Sequence, residues 1–546
     1  MAFPKGIREN LHFLLAEVNG QLAVLLDYFA SPSATLAKRI LDRTGYVGNL
    51  KLRIHNSCLE QLAVGPAGGL THQRLRAVEI IATHLDRIAE RAREVIHQTS
   101  YLDRLESLPA DDFTPLLQQL LQGLGMIEEA YCERDSQQAL KLGEIEQSLD
   151  DAYRKLLKRY TKALKQSRET KDLVSLIFVA HQVEQMGDEL LSISEAIISA
   201  NLGQSFNIDR YNTLSASVAK LGEHEDIDDL LVEPIAETRS GSGIAGIAAS
   251  DRAGDGYDAI YKDGKKRKLK EERQGVESWH EIFPGLAPKI LSYHKRGQSA
   301  ALLIEHLAGL TFEQILLHEP RKLLQETLGQ LTATLASVWQ ETKTKKRVSA
   351  GYMGQLAKRL DDVYTIHPEF QQLESRLGDL FLPSFDHLLQ QATEYEQGIE
   401  APFSVYIHGD FNVDNIIYDP LEKRINFIDL HRSRYMDYVQ DISVFMVSIY
   451  RLQVLDPQVR RRILNLARDF CEFARRFARK RGDGLFEIRL ALGLARSFAT
   501  STRFILDKSL SRAMFLRARY LIEQVLRVEP DSTAGYQVPV KELFIG

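Results

Sequence analysis

Cysteine is scarce in this 546-residue sequence: Cys58, Cys132 and Cys471 lie far apart, with no CxxC pair and no spacing of zinc ligands or of a disulfide framework. Each reads as a reduced core thiol. Excess charge is also lacking. A formal net charge of -5 and a pI near 6.3 give no general attraction for nucleic acid, which is not an expected partner. No segment reaches the roughly 20 uninterrupted apolar residues that span a bilayer, and MAFPKGIREN opens without the apolar stretch of a signal peptide. These absences predict a cytoplasmic protein with no transmembrane segment. The length excludes a single core, so two or three domains are the starting assumption.

Proline is nearly missing between Ile7 and Leu221, where apolar residues recur at three- and four-residue intervals, as in Leu75, Val78, Ile81, Leu85, Ile88, Ala92 and Val95. This half is predicted to be all helical. Breaks at Ser31-Pro32-Ser33, Gly65 to Gly69 and Pro109 to Asp112 cut it into helices long enough for antiparallel bundles. It also repeats itself, because Val78-Glu79 with Ile88 to Ala92 echoes Val183-Glu184 with Ile193 to Ala196, at a constant offset of 105 positions. A duplicated three-helix unit is the implied architecture of 1–222.

Past Leu221 the text turns acidic, then rich in glycine and serine at Ser240 to Gly243, then β-like. Strands are predicted at Pro234 to Thr238, Ile244 to Ala248, Tyr257 to Lys262, Lys289 to Tyr293 and Ala300 to Glu305, with one helix from Lys268 to Phe283. That mixture makes 223–308 a β-rich lobe of an α+β fold. From 309 to 546 helices dominate, interrupted by the strand pair Ile416 to Tyr418 and Arg424 to Ile428.

The chemistry is concentrated in Val405-Tyr406-Ile407-His408-Gly409-Asp410-Phe411-Asn412-Val413-Asp414-Asn415 and in Ile425-Asn426-Phe427-Ile428-Asp429. If Asn415 to Asp419 and Arg424 to Ile428 pair as a hairpin, the start of one strand lies beside the end of the other, and Asn415 neighbours Asp429. An amide oxygen and a carboxylate there suit Mg2+, which takes oxygen ligands and leaves room for phosphate. Asp410, in the loop entering the hairpin, would face that ion. A carboxylate for the attacking hydroxyl and metal for the β- and γ-phosphates are what phosphoryl transfer requires.

With HGDxxxxN, the later IDL and Asp437-Tyr438-Val439-Gln440-Asp441-Ile442 on the page, the chain from about Ile227 onward resembles the aminoglycoside phosphotransferase and choline kinase superfamily, whose fold is that of the protein kinases. The resemblance implies a bilobal kinase-like domain using ATP and Mg2+ on a small-molecule hydroxyl, with Asp410 as catalytic base, Asn415 and Asp429 as metal ligands, and Asp441 as a structural support. His408 reads as structural. On the nucleotide side it implies Lys262 for the phosphates and Glu272 as its partner, with Glu277 in reserve. Ser242 and Gly243 would belong to a glycine hairpin near the phosphates, and the backbone of Glu305 and Leu307 would read the adenine edge. A protein kinase is disfavoured, since Leu430 to Gln440 leaves no room for an activation loop. A non-enzymatic nucleotide-binding regulator of phosphate uptake or signalling is the alternative.

The helical half resembles the PhoU family of phosphate-uptake regulators, through the duplicated layout and the segment Val183-Glu184-Gln185-Met186-Gly187-Asp188. That resemblance implies a regulatory part offering a surface for a protein partner or for dimerisation. Glu184 and Asp188, one helical turn apart, form a candidate second metal site. The first repeat departs from the pattern, with Thr83 where the second has Asp188.

Overall fold

The computed structural model describes residues 5–64, 70–105, 108–165, 170–202, 208, 211, 214, 230–237, 243–249, 257–296, 299–529, 533 and 535–545. They form two compact units, Met1–Gly264 with Leu291–Leu303, and Lys265–Ile290 with Ile304–Gly546. The sequence boundary at 222/223 falls outside the described residues. The one at 308/309 falls inside the second unit.

In the first unit, helices α1 (Lys5–Ala30), α2 (Ala34–Leu41), α3 (Thr44–Val64), α4 (Leu70–Thr99), α5 (Ala110–Cys132), α6 (Ser136–Leu164) and α7 (Thr170–Leu202) run as the apolar periodicity requires. Ser33 and Asp135 cap α2 and α6 by accepting from the amides of Leu36 and Gln138, which satisfies donors that a helix start leaves orphaned. The predicted stripe from Leu75 to Val95 is buried along α4, and α4 packs on α7. Arg91 reaches Gln182 while His84 meets Glu189, so the two helices run antiparallel. His84 and Glu189 are also equivalent under the 105-residue offset. The repeats therefore meet at matching positions, as two copies related by a pseudo-twofold would. Helix α1 is long and apolar enough to cross a membrane by composition, but Leu14, Val18, Leu22 and Leu25 on it are fully buried in the core.

The same unit holds strands β1 (Leu230–Glu237), β2 (Gly243–Ala249), β3 (Ala259–Lys265), β4 (Ile290–Arg296) and most of β5 (Ser299–Glu305), in the order β1-β2-β3-β5-β4. Antiparallel pairing sets Ile244 opposite Lys262. Because side chains alternate between sheet faces, Ala245, Ile247, Ala259, Tyr261, Ala301 and Leu303 share one core with the helices, and Lys262 takes the other face.

The second unit is mainly helical. Its core gathers Trp279, Trp339, Phe312, Phe411, Phe427, Phe445 and the apolar face of the helix Phe486–Ser501. The helix Lys266–Ile282 lies against this core through Gly275: a Cβ there would come within 2.1 Å of the Leu430 carbonyl oxygen, so no larger residue permits that approach. Trp279, one turn on, stacks edgewise on Tyr406 and Phe427 and donates its indole N–H to Ser433 Oγ at 2.8 Å.

Candidate active site

The hairpin forms as the sequence predicts, with Ile416–Asp419 antiparallel to Arg424–Phe427 and Ile416 opposite Phe427. Its open end differs by one residue at each strand. Asn415 closes a short 3-10 helix, Val413–Asn415, and the Ile428 amide donates to the Asn415 carbonyl at 3.1 Å. That bond sets Asn415 beside the Ile428-Asp429 peptide. Asp429 follows with φ of +60°, a left-handed conformation that a non-glycine residue adopts at a cost of roughly 1–3 kcal/mol. Its Oδ1 lies 3.2 Å from His431 Nδ1.

Asp410 is fixed from several directions. Its Oδ1 accepts from Asn412 Nδ2 at 3.1 Å, its Oδ2 pairs with Arg432 Nη1 at 3.1 Å, and its carbonyl accepts from Asn415 Nδ2 at 2.9 Å. This last bond commits the amide nitrogen of Asn415 and leaves its amide oxygen without a hydrogen bond among the described residues. The neighbouring His408 is buried, and burial holds its ring below the usual imidazole range, hence neutral. Its Nε2 lies 2.9 Å from the Ile428 carbonyl and its Nδ1 accepts the Asp410 amide at 3.3 Å, a pattern that assigns the proton to Nε2. A ring so placed ties the loop to the hairpin, with both nitrogens committed to the backbone.

Gly409 has φ of +84°, and a Cβ there would lie 2.4 Å from the Arg432 carbonyl oxygen. Its amide and that of His408 each donate 2.8 Å bonds to the two oxygens of Asp441. Asp441 is buried, and desolvation raises its carboxyl to about 7 against the pull of those two amides. Beneath it lies a fully buried ionic network in which Arg489 bonds Asp437 at 2.8 Å and Asp483 at 2.8 and 2.7 Å. Tyr352 and Tyr438 donate to the same two carboxylates at 3.0 and 2.6 Å. Each buried charge is thereby answered, which is the condition for burying charge at all.

The nucleotide-side residues belong to both units. Lys262 is buried on β3 in the first unit; Glu272 is buried on the helix Lys266–Ile282 in the second. Glu277 pairs with Arg273 at 2.8 Å on the surface. Ser242 lies outside the described residues, and Gly243 opens β2 with its amide donated to the Asp263 carboxylate at 3.1 Å. Glu305 ends β5, its amide given to the Lys289 carbonyl at 2.9 Å, while the backbone of Leu307 makes no hydrogen bond among the described residues. In the first unit Glu184 and Asp188 share α7, and Gln185 Nε2 bridges them at 3.3 and 2.8 Å. Among the described residues no three His, Cys, Asp or Glu side chains converge as a metal site. The pair Asn415 and Asp429 is of another kind, one amide and one carboxylate, and fits a hard ion that phosphate oxygens complete.

Sequence reasoning missed the arginines. A cavity of about 370 Å³ beside Asp410 is lined by Arg359, Arg432, Arg434 and Arg496. One signal was there to read: Arg489 and Arg496 sit seven residues apart, on one face of a mostly apolar helix.

Two family models match parts of this chain. Residues 274–481 match the family described as "Phosphotransferase enzyme family", and residues 116–197 match the family described as "PhoU domain". The first match contains Asp410, Asn415, Asp429, Glu305 and Leu307 and begins after Lys262 and Glu272. A "Phosphate-specific transport system accessory protein PhoU homolog" of Zymomonas mobilis is 21% identical over 202 residues, covering 36% of this chain and 85% of that one. Among solved structures, an aminoglycoside-3'-phosphotransferase of type VIII aligns at 17% identity with a TM-score of 0.34, over 52% of this chain and 97% of that one. PhoU from Streptococcus pneumoniae aligns at 14% identity with a TM-score of 0.35, over 37% and 96%.

Proposed function

From a chain that joins a PhoU-like helical region to a kinase-like phosphotransferase region, we propose an enzyme that moves the γ-phosphate of ATP to a hydroxyl of a small molecule, with the helical half setting its activity. The working parts are 1–222 for regulation, 223–308 for the nucleotide and 309–546 for catalysis. The observation that carries this reading is the grip on Asp410: a carboxylate held by Asn412 and Arg432, in a loop locked by Asp441, beside the hairpin end that bears Asn415 and Asp429.

Asp410 orients the acceptor hydroxyl and takes its proton as the oxygen bonds to the γ-phosphorus, while the bond from that phosphorus to the β-phosphate oxygen breaks and ADP departs. Asn415 and Asp429 would hold Mg2+, which when bound neutralises charge on the β- and γ-phosphates. Lys262 would serve the α- and β-phosphates, with Glu272 as the partner that the family resemblance assigns to it. Gly243 would belong to the hairpin that approaches the phosphates, and Glu305 and Leu307 would offer backbone groups to adenine. A metal-binding role for Glu184 and Asp188 is a separate proposal, checked by calorimetric titration of the chain with Mn2+ against Asp188→Asn. The test of the main proposal is magnesium-dependent ADP formation against a panel of amino alcohols, sugars and aminoglycosides, in wild type and Asp410→Asn. Turnover that survives the substitution removes Asp410 from its role.

One observation favours a second reading. Asp410 is held in an ion pair with Arg432, and a chain in which that pair kept the acceptor hydroxyl out would bind nucleotide as a regulator without turning over. Such a chain binds Mg·ATP and forms no ADP with any acceptor.

A further inference from the structure

The cavity beside Asp410 lies where an acceptor must sit if its hydroxyl is to reach that carboxylate, and its walls are unusual. Four arginines, Arg359, Arg432, Arg434 and Arg496, face two carboxylates, Asp410 and Glu271. Glu271 is already engaged by Arg267 at 3.0 Å, and Asp410 by Arg432. Arg496, 4% exposed, bonds neutral partners, Gln440 Oε1 at 3.0 Å and Ser443 Oγ at 3.3 Å, and its buried Nε has no partner. Arg359 is half-buried and makes no hydrogen bond or salt bridge with the described residues. Burial and then its cationic neighbours Arg432 and Arg503 push its guanidinium below the ordinary range.

Burying a cation without a counter-charge is costly, and the structure contrasts its own two cases. Arg489, on the same helix as Arg496, makes ion pairs with two aspartates; Arg496 makes none among the described residues, resting 5.5 Å over the Tyr352 ring while Asp410 and Asp441 act on it only from beyond ion-pair distance. A guanidinium fork is also suited to bidentate binding of planar carboxylate or of phosphate. We propose that the acceptor alcohol carries an anionic group, a carboxylate or a phosphate, held by Arg359 and Arg496 while its hydroxyl meets Asp410. This rests on the phosphotransfer reading and adds to it the charge class of the substrate. A cavity of about 370 Å³ admits an acceptor of small-metabolite size.

The full chain is first loaded with Mg2+ and a non-hydrolysable ATP analogue whose γ-phosphate fills the transfer position, and loading is measured on its own. The loaded protein is then titrated calorimetrically with glycerate, glycerol 3-phosphate and glycerol. The proposal expects at least one of the anions to bind and glycerol to bind at least tenfold more weakly. It expects Arg359→Gln to weaken the anion at least tenfold, Arg359→Lys to restore part of the loss, and the analogue's own affinity to stay put. Arg359 is partly exposed, so its variants are expected to fold. Glycerate alone binding assigns the carboxylate; glycerol 3-phosphate alone assigns the phosphate. Absence of anion binding to the loaded wild type, unchanged binding in Arg359→Gln, or anion binding confined to nucleotide-free protein overturns the proposal, the last showing that the arginines serve the γ-phosphate. Failure of the analogue to load is a different result: it strikes the phosphotransfer reading, and this inference falls with it.

Discussion

Acidic side chains gather in both units, and one cluster in each shows two ways of holding them. In the second, every deeply buried carboxylate of the loop support is answered: Asp441 by two backbone amides, Asp437 and Asp483 by Arg489 and two tyrosines. In the first, Glu146 and Asp188 are half-buried; burial raises both carboxyls, followed for Glu146 by Asp188, Asp150 and Glu184 and for Asp188 by Glu184, Glu189 and Asp150. The lesson is about rigidity. Carboxylates bonded by amides, tyrosines and an arginine fix a geometry, as phosphoryl transfer needs, whereas neighbouring acids that raise one another hold a charge that a cation or partner could still neutralise.

The contrast can be broken at its strongest point first. Asp410→Asn should lower ADP formation by roughly 10²–10⁴-fold, the span that one positioned general base supplies, with the thermal midpoint close to wild type. Arg489→Met leaves two buried aspartates without their cation and should cost about 3–5 kcal/mol in urea denaturation; a loss under 1 kcal/mol would mean that the ion pairs hold nothing together. Asp441→Asn sharpens the argument through pH. The carboxyl sits at about 7 when folded and at about 4 when unfolded. Between those values the folded state keeps a proton that the unfolded chain releases, so this group's stabilisation is complete below about 4 and is lost as pH rises to about 7. Comparing urea midpoints near pH 5 and pH 7.5, the variant should lose less stability across that interval than wild type. The smallest effect belongs to the first unit: Asp188→Asn removes a repelled charge and should raise the melting midpoint near pH 7 by no more than about 2 °C, a gain that vanishes at acid pH.

Much of this was legible in the sequence because local pattern and tertiary demand agreed. The helix predicted from Lys268 to Phe283 runs from Lys266 to Ile282, and the strands around it fall within a few residues of their predicted ends. The hairpin was legible because turn residues separate two short apolar runs with polar groups at their open ends. Asn415 was misplaced by one position, in a 3-10 turn instead of a strand, since its side chain is drawn off to the Asp410 carbonyl. The arginine-lined cavity was not legible. Arg359 and Arg496 are carried by helices far apart in the chain, and no local pattern announces that two such helices converge. Similarly, Gln185 between Glu184 and Asp188 is a side-chain arrangement that spacing alone does not give.

The account depends on one amide and one carboxylate at the open end of a hairpin sharing a divalent ion beside Asp410. Electron paramagnetic resonance of Mn2+ in the presence of ADP tests this directly. Wild-type chain should take up the Mn·ADP signal, and Asp429→Asn should weaken that uptake at least tenfold while Asp188→Asn leaves it alone. Equal uptake by wild type and Asp429→Asn would contradict the account.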